Sequence, residues 1–259
     1  MPPAFLNKRK EKNMGYQEFT IEGRNAVIEA YRSGKPIDKI FILDGCQDGP
    51  MMTIKREAKK HDTLVKFVSK ERLDQMSETG KHQGVIAYAA AYEYAEVEDI
   101  LEAARKKGEA PFIFLLDNIE DPHNLGAIIR TANLAGAHGV IIPKNRAAGL
   151  TATVARTSAG ALNYTPVAKV TNMAKTIEEL KKEGLWFVCA DMGGTQMYQL
   201  NLKGPIGLVI GNEGEGVGRL VKEKCDMIAS IPMKGDIDSL NASVAAGVLA
   251  YESVRQRLQ

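Results

Sequence analysis

From residue 112 onward the chain keeps one rhythm. Short runs of mostly apolar residues, three to six long, alternate with longer stretches in which apolar positions recur every three or four. FIFLL (112–116), VII (140–142), 165–170, 186–190, IGLVI (206–210) and MIASI (227–231) are short and rich in branched side chains, so they predict strands. Between them, 125–135, 152–159, 172–182, 218–224 and 240–257 carry helical spacing. The strand runs are apolar almost throughout rather than alternately. That pattern predicts a parallel sheet covered by helices on both faces.

The first ninety residues repeat the alternation less regularly. Helices are expected at 21–32 (IEGRNAVIEAYR), 51–61 and 70–76, and strands at 39–43 (KIFIL), 64–68 and 84–91. A small α/β unit of about seventy residues accounts for them. Residues 93–110 turn acidic and then basic, with one amphipathic helix over 97–106, and read as a linker. Residues 1–18 are polar and basic and read as a flexible arm. The division expected is therefore an arm at 1–18, a first domain at 19–92, a linker at 93–110 and a second domain at 111–259.

Composition narrows the class without naming it. The chain has 259 residues, 44% hydrophobic and 25% charged, which are ordinary globular values. A net charge of +2 favours no partner, but its distribution is uneven. Residues 8–12 read KRKEK, and Lys55, Arg56, Lys59, Lys60, Lys66, Lys70 and Arg72 face only Glu57, Asp62 and Glu71 in that stretch. This excess fits nucleic-acid contact and fits a solvated helix face equally. Cys46, Cys189 and Cys225 are too far apart for a disulfide framework, and the four histidines lack metal-ligand spacing. No apolar run approaches a membrane span. A soluble, cytoplasmic protein without metal or membrane partner is expected.

Candidate chemistry falls in three loops that follow predicted strands, where open α/β sheets hold ligands. The first is DNIEDPHNLGAIIR (117–130). Asn124 is expected as the N-cap of the following helix, His123 as part of the same cap rather than as a base, and Arg130 as a cation among apolar neighbours that needs a phosphate or another partner. The second is GNEGEGVGR (211–219). It misses the dinucleotide fingerprint, because Arg219 stands where the third glycine would be, and it has no G-K-[ST] to close a phosphate loop. Its glycines allow close approach of an adenine-bearing ligand, or simply a tight turn. The third is IPMKGDIDSLNASVAAGVLAY (231–251), with Ser239 and Asn241 at a predicted helix N-cap.

Together these residues resemble a known family. DNIEDPHNLGAIIRTANLAGAHGVI, LVIGNEGEGVGR and IPMKGDIDSLNASVAAGVLAYE are similar to the three motifs of the SpoU (TrmH-like) RNA ribose 2′-O-methyltransferases, in order, across residues 112–257. EGRNAVIEA, KIFIL and HQGVIAY resemble the small ribosomal-protein-like recognition domain of members that act on a guanosine of 23S ribosomal RNA. The resemblance implies an α/β methyltransferase domain of the SPOUT type, tied in a trefoil knot that periodicity could not reveal. It implies S-adenosylmethionine as cofactor, RNA as partner and a homodimer with its active sites near the subunit interface. Gly211, Ile231, Met233 and Leu240 match cofactor-binding positions. Asn124, Arg130, Glu213, Ser239 and Asn241 match catalytic and substrate-positioning ones. Asn212 receives no role.

Methyl transfer to a ribose hydroxyl requires alignment and loss of a proton. An arginine, which keeps its proton throughout the physiological range, is a poor base. Arg130 is therefore expected to orient ribose and phosphate, with the proton leaving to Glu213 or to water. A tRNA substrate is the nearest alternative. A non-enzymatic RNA-binding protein would require broken cofactor motifs, and these are intact.

Overall fold

The structure is a computed structural model, described for residues 20–237 and 239–259. The arm expected at 1–18 lies outside the described residues. The apolar runs of the first ninety residues pair into one sheet. Its centre is β2 (Ile37–Leu43), which buries Ile40 and Ile42. It runs parallel to β3 (Leu64–Val68) and antiparallel to β4 (Val85–Ala89), and β1 (Thr20–Glu22) closes the far side of β4. Helices α1 (Arg24–Arg32) and α2 (Gly49–Lys60) bring Val27, Tyr31, Met51 and Ile54 onto this sheet, and α3 (Lys70–Met76) buries Leu73. The helix expected from residue 21 instead begins at Arg24. Gly23, at φ 91°, breaks the chain between strand and helix, so Ile21 pairs with Ala87 in the sheet.

The second sheet is wholly parallel. It contains β5 (Phe112–Leu116), β6 (Gly139–Pro143), β7 (Val167–Val170), β8 (Trp186–Gln196), β9 (Ile206–Ile210) and β10 (Met227–Ser230), in the order β10-β8-β9-β5-β6-β7. Side chains alternate across a strand, and FIFLL shows why its pattern is continuous. Phe112, Phe114 and Leu116 enter the core under α5 (Pro122–Leu134), α6 (Ala152–Thr157) and α9 (Ala242–Arg257). Ile113 and Leu115 enter the opposite core under α4 (Val97–Lys107), α7 (Met173–Lys182) and α8 (Arg219–Lys224). Each such buried side chain contributes about 1.5–3 kcal/mol. Helix α4, in the stretch expected as a linker, sends Ile100 and Leu101 into this second core.

Strand β8 runs six residues past its expected end. It pairs with β10 at Val188–Cys189 and again at Thr195–Gln196, and the register shifts between. Residues 190–194 form a bulge between the two paired stretches. A Cβ at Gly194 would lie 2.3 Å from the Ile228 carbonyl oxygen, so only glycine lets the strand return. The bulge carries Asp191 and Met192 toward the C-terminal edge of the sheet.

The two sheets are stitched together by residues 90–95. Ala91 N donates to Leu150 O at 2.7 Å and Ala95 N to Val167 O at 2.9 Å. The Tyr94 hydroxyl and Lys169 Nζ both donate to Asp38 Oδ1, a side chain only 7% exposed. Among the described residues no helix is long and apolar enough to cross a membrane.

Candidate active site

Three chain segments converge at the C-terminal ends of β8, β9 and β10, which are neighbours in the sheet. They enclose a cavity of about 230 Å³. Gly211, Ile231, Met233 and Leu240, expected to hold the cofactor, all line it, as does Ser239. The Gly211 wall is backbone by necessity. A Cβ there would lie 2.1 Å from the Gly216 carbonyl carbon and 2.4 Å from Val217 N. Asn212 shapes the same loop, its Oδ1 accepting from Gly214 N at 3.0 Å and Glu215 N at 2.6 Å. Asn-x-Gly is a local turn signal, and this role was legible in the sequence but not drawn. Asp117 Oδ2 then accepts from Gly218 N at 2.8 Å, tying the end of this loop to the end of β5.

At the lip of the cavity one carboxylate oxygen gathers three donors. Glu213 Oε1 accepts from Asn124 Nδ2 at 2.9 Å, from Asn241 Nδ2 at 2.8 Å and from Ala242 N at 2.9 Å. Asn241 Nδ2 also donates to Asn124 Oδ1 at 2.9 Å. Residues separated by up to 117 positions thus form one closed cluster. The Ala242 amide holds the Glu213 carboxyl below the usual carboxylate range, outweighing the cost of desolvation, and the Asn124 amide adds a lesser effect in the same direction. Glu213 is therefore ionised at neutral pH. A carboxylate so stabilised is a weak proton acceptor.

The N-caps differ from expectation at two places. Asp121 caps α5, accepting from His123 N at 2.9 Å, with Pro122 at the first helical position. Asn124 therefore lies inside the first turn and is freed to face Glu213. The D-P dipeptide was the overlooked signal. His123 is exposed, and its backbone amide rather than its ring enters the cap. At α9 the cap is Asn241, whose Oδ1 accepts from Ser243 N and Val244 N, while Ser239 lies upstream of it at the cavity wall.

Arg130 stands apart from the cluster. It is exposed on α5, and no described residue gives it a hydrogen bond or ion pair. Its apolar neighbours Ile128, Ile129 and Ala132 point into the core, and the partner it is expected to need is not found among the described residues. It shares an outer face with Leu134, 65% exposed, one turn onward. Beside it, α9 presents Val244 and Tyr251, 49% and 51% exposed. The two helices meet where a Cβ on Gly247 would reach Thr131 Cγ2 at 3.9 Å.

Comparisons with known proteins agree on one family. The model described as SpoU rRNA Methylase family matches residues 111–251, and RNA 2′-O ribose methyltransferase substrate binding matches residues 20–95. A relative in Bacillus subtilis (strain 168), assigned to the TrmH family of tRNA/rRNA methyltransferases, is 50% identical over 246 residues, covering 94% of this chain and 98% of its own. The crystal structure of the SpoU methyltransferase AviRb from Streptomyces viridochromogenes, in complex with AdoMet, superposes with a TM-score of 0.58 at 26% identity. It covers 93% of this chain and 91% of that one. A TrmH/SpoU tRNA modifying enzyme from A. aeolicus, 30% identical, covers 58% of this chain and 77% of its own with a TM-score of 0.53.

Proposed function

The chain belongs to the SpoU rRNA methylase family, and on that premise we propose that it transfers a methyl group from S-adenosylmethionine to a ribose 2′-hydroxyl of RNA, a guanosine of 23S ribosomal RNA, in the cytoplasm. The observation that carries the reading is the Glu213 cluster, which joins all three family motifs at the lip of the cavity lined by Gly211, Ile231, Met233 and Leu240. The lining suits the cofactor chemically. Apolar side chains and glycine backbone accept an adenosine, and among the described residues the charged groups lining the cavity are Glu213, Glu215 and Asp191, the last already paired with Lys222 at 2.7 Å. A cationic sulfonium is favoured by that surround. When bound, S-adenosylmethionine supplies an electrophilic methyl group.

The chain's own groups then act by position. Glu213 stays ionised and fixes the Asn124 and Asn241 amides, and with its pKa lowered it leaves the ribose proton to water. Alignment of a hydroxyl beside the methyl donor can supply up to about 7–11 kcal/mol. Arg130 orients ribose and phosphate. It does so in the site of a second copy, because its guanidinium lies on the exposed face that includes Leu134, Val244 and Tyr251. That face is the proposed homodimer contact. A trefoil knot is part of the same proposal. The chain leaves β10 at the sheet edge and returns to place Asn241 against Asn124 near its centre.

A tRNA substrate is the second reading, favoured by the similarity to a tRNA modifying enzyme that covers 58% of this chain. The substrate-binding match at residues 20–95 speaks for RNA of either kind, and the resemblance of EGRNAVIEA, KIFIL and HQGVIAY to the recognition domain of members acting on 23S ribosomal RNA is what favours ribosomal RNA. Titration calorimetry with S-adenosylmethionine and its demethylated product tests the premise. Binding without RNA is expected, and no heat at millimolar ligand removes the enzyme reading.

A further inference from the structure

A second hollow, of about 470 Å³, opens on the other side of Asn124 and Glu213 from the cofactor cavity. Glu120, Asp121, Glu213 and Glu215 line it, and Arg146 is the one cation among its lining residues. Such a surround repels a polyanion wherever no cation offsets it. Arg146 also borders a third hollow, of about 390 Å³, which extends to Arg219 at the start of α8. The ridge between the two hollows is made by Asn118 and Arg146, which line both.

Both ridge residues have left-handed backbone, Asn118 at φ 59° and Arg146 at φ 55°. Asparagine takes that conformation readily; arginine does so at a cost, and glycine would take it freely. The side chain gives no internal return for the cost. Arg146 is exposed, and no described residue gives it a hydrogen bond or ion pair, although four carboxylates share its hollow. A planar cation held unpaired on a ridge beside the catalytic cluster matches one ligand chemistry, a phosphodiester.

We propose that Arg146 grips the RNA backbone next to the target nucleotide. The target ribose then lies on the Asn124 and Glu213 side, and the neighbouring nucleotides cross the ridge toward Arg219. The proposal rests on the RNA methyltransferase reading and adds a substrate-positioning residue and a strand path to it.

The test uses the full chain, deproteinised ribosomal RNA and, in parallel, bulk tRNA. RNA affinity is measured across a salt series for wild type, Arg146→Ala, Arg146→Lys and Arg146→Gly, with cofactor affinity and melting temperature for each. Loss of one phosphate contact lowers the slope of log affinity against log salt by about 0.7 to 0.9. That decrement is expected in Arg146→Ala and Arg146→Gly, with affinity about tenfold lower at low salt and cofactor affinity unchanged. Arg146→Lys should keep the slope but methylate more slowly, since a point charge aligns the backbone less well. A purely structural arginine would leave the slope unmoved, and Arg146→Gly would only raise the melting temperature. Either that result, or a wild type without RNA affinity, overturns the clamp. A wild type that binds RNA with the expected slope difference yet transfers no methyl group overturns the methyltransferase reading and leaves the clamp standing.

Discussion

Glu213 carries two kinds of consequence at the scale of a single residue. Its folded pKa is lowered, so the stability it contributes is present above the unfolded carboxylate pKa and is lost as pH falls through the folded value. Glu213→Gln should therefore narrow the stability difference from wild type progressively in acid, as followed by thermal melts across a pH series. The methyl-transfer rate of wild type should show no carboxylate titration between about pH 5 and 8, and one there would make Glu213 the base. Arg130→Ala should leave melting temperature and cofactor affinity near wild type and cut single-turnover transfer by about 10²–10³. Arg130→Lys should recover little of it. An unstable alanine variant, or one that transfers normally, removes Arg130 from the reaction. Most of this site was legible as motif residues, but its wiring was not. Asn124 reads as a cap because asparagine before an apolar helix usually is one; only the position of Asp121 and Pro122 moves it into the helix and toward Glu213.

At the scale of elements, the outer face of α5 and α9 makes the sharpest prediction. Val244 and Tyr251 are exposed on one stripe of α9, beside Leu134 and Arg130 of α5. Wild type is expected to sediment as the proposed dimer, and replacing Tyr251 and Val244 with aspartate should convert it to a monomer. Transfer should fall with it while cofactor binding remains, because each site is proposed to need Arg130 of the partner subunit. A monomeric variant with full activity contradicts that arrangement. The strands were readable because FIFLL and IGLVI are buried on both faces, and such runs have few other homes. The 190–194 bulge was not, since Gly193 and Gly194 signal a stop equally well, and the contact with Ile228 that decides the matter is remote in sequence. Strand β1 was lost for a similar reason: three residues are too few for a period, and pairing with β4 makes the strand.

At the scale of the whole molecule, the two sheets are coupled through Asp38, Tyr94 and Lys169. Asp38→Ala would leave Lys169, only 19% exposed, without its carboxylate, and breaking a buried pair from one side costs about 3–5 kcal/mol. Thermal melts should show that loss, and RNA methylation should fall more than cofactor affinity, because the cavity proposed for the cofactor is lined by residues of the second domain alone. The central claim is that this molecule brings a ribose 2′-hydroxyl of RNA to the Glu213 cluster beside a bound methyl donor. The measurement that tests it most directly is nucleotide-resolution mapping of 2′-O-methylation, by resistance to alkaline cleavage, after incubating the protein and S-adenosylmethionine with unmethylated ribosomal RNA and tRNA. The account predicts one new protected linkage, at a guanosine of 23S ribosomal RNA, absent with Arg130→Ala. A methyl group on a base, or protection that persists in that variant, would contradict it.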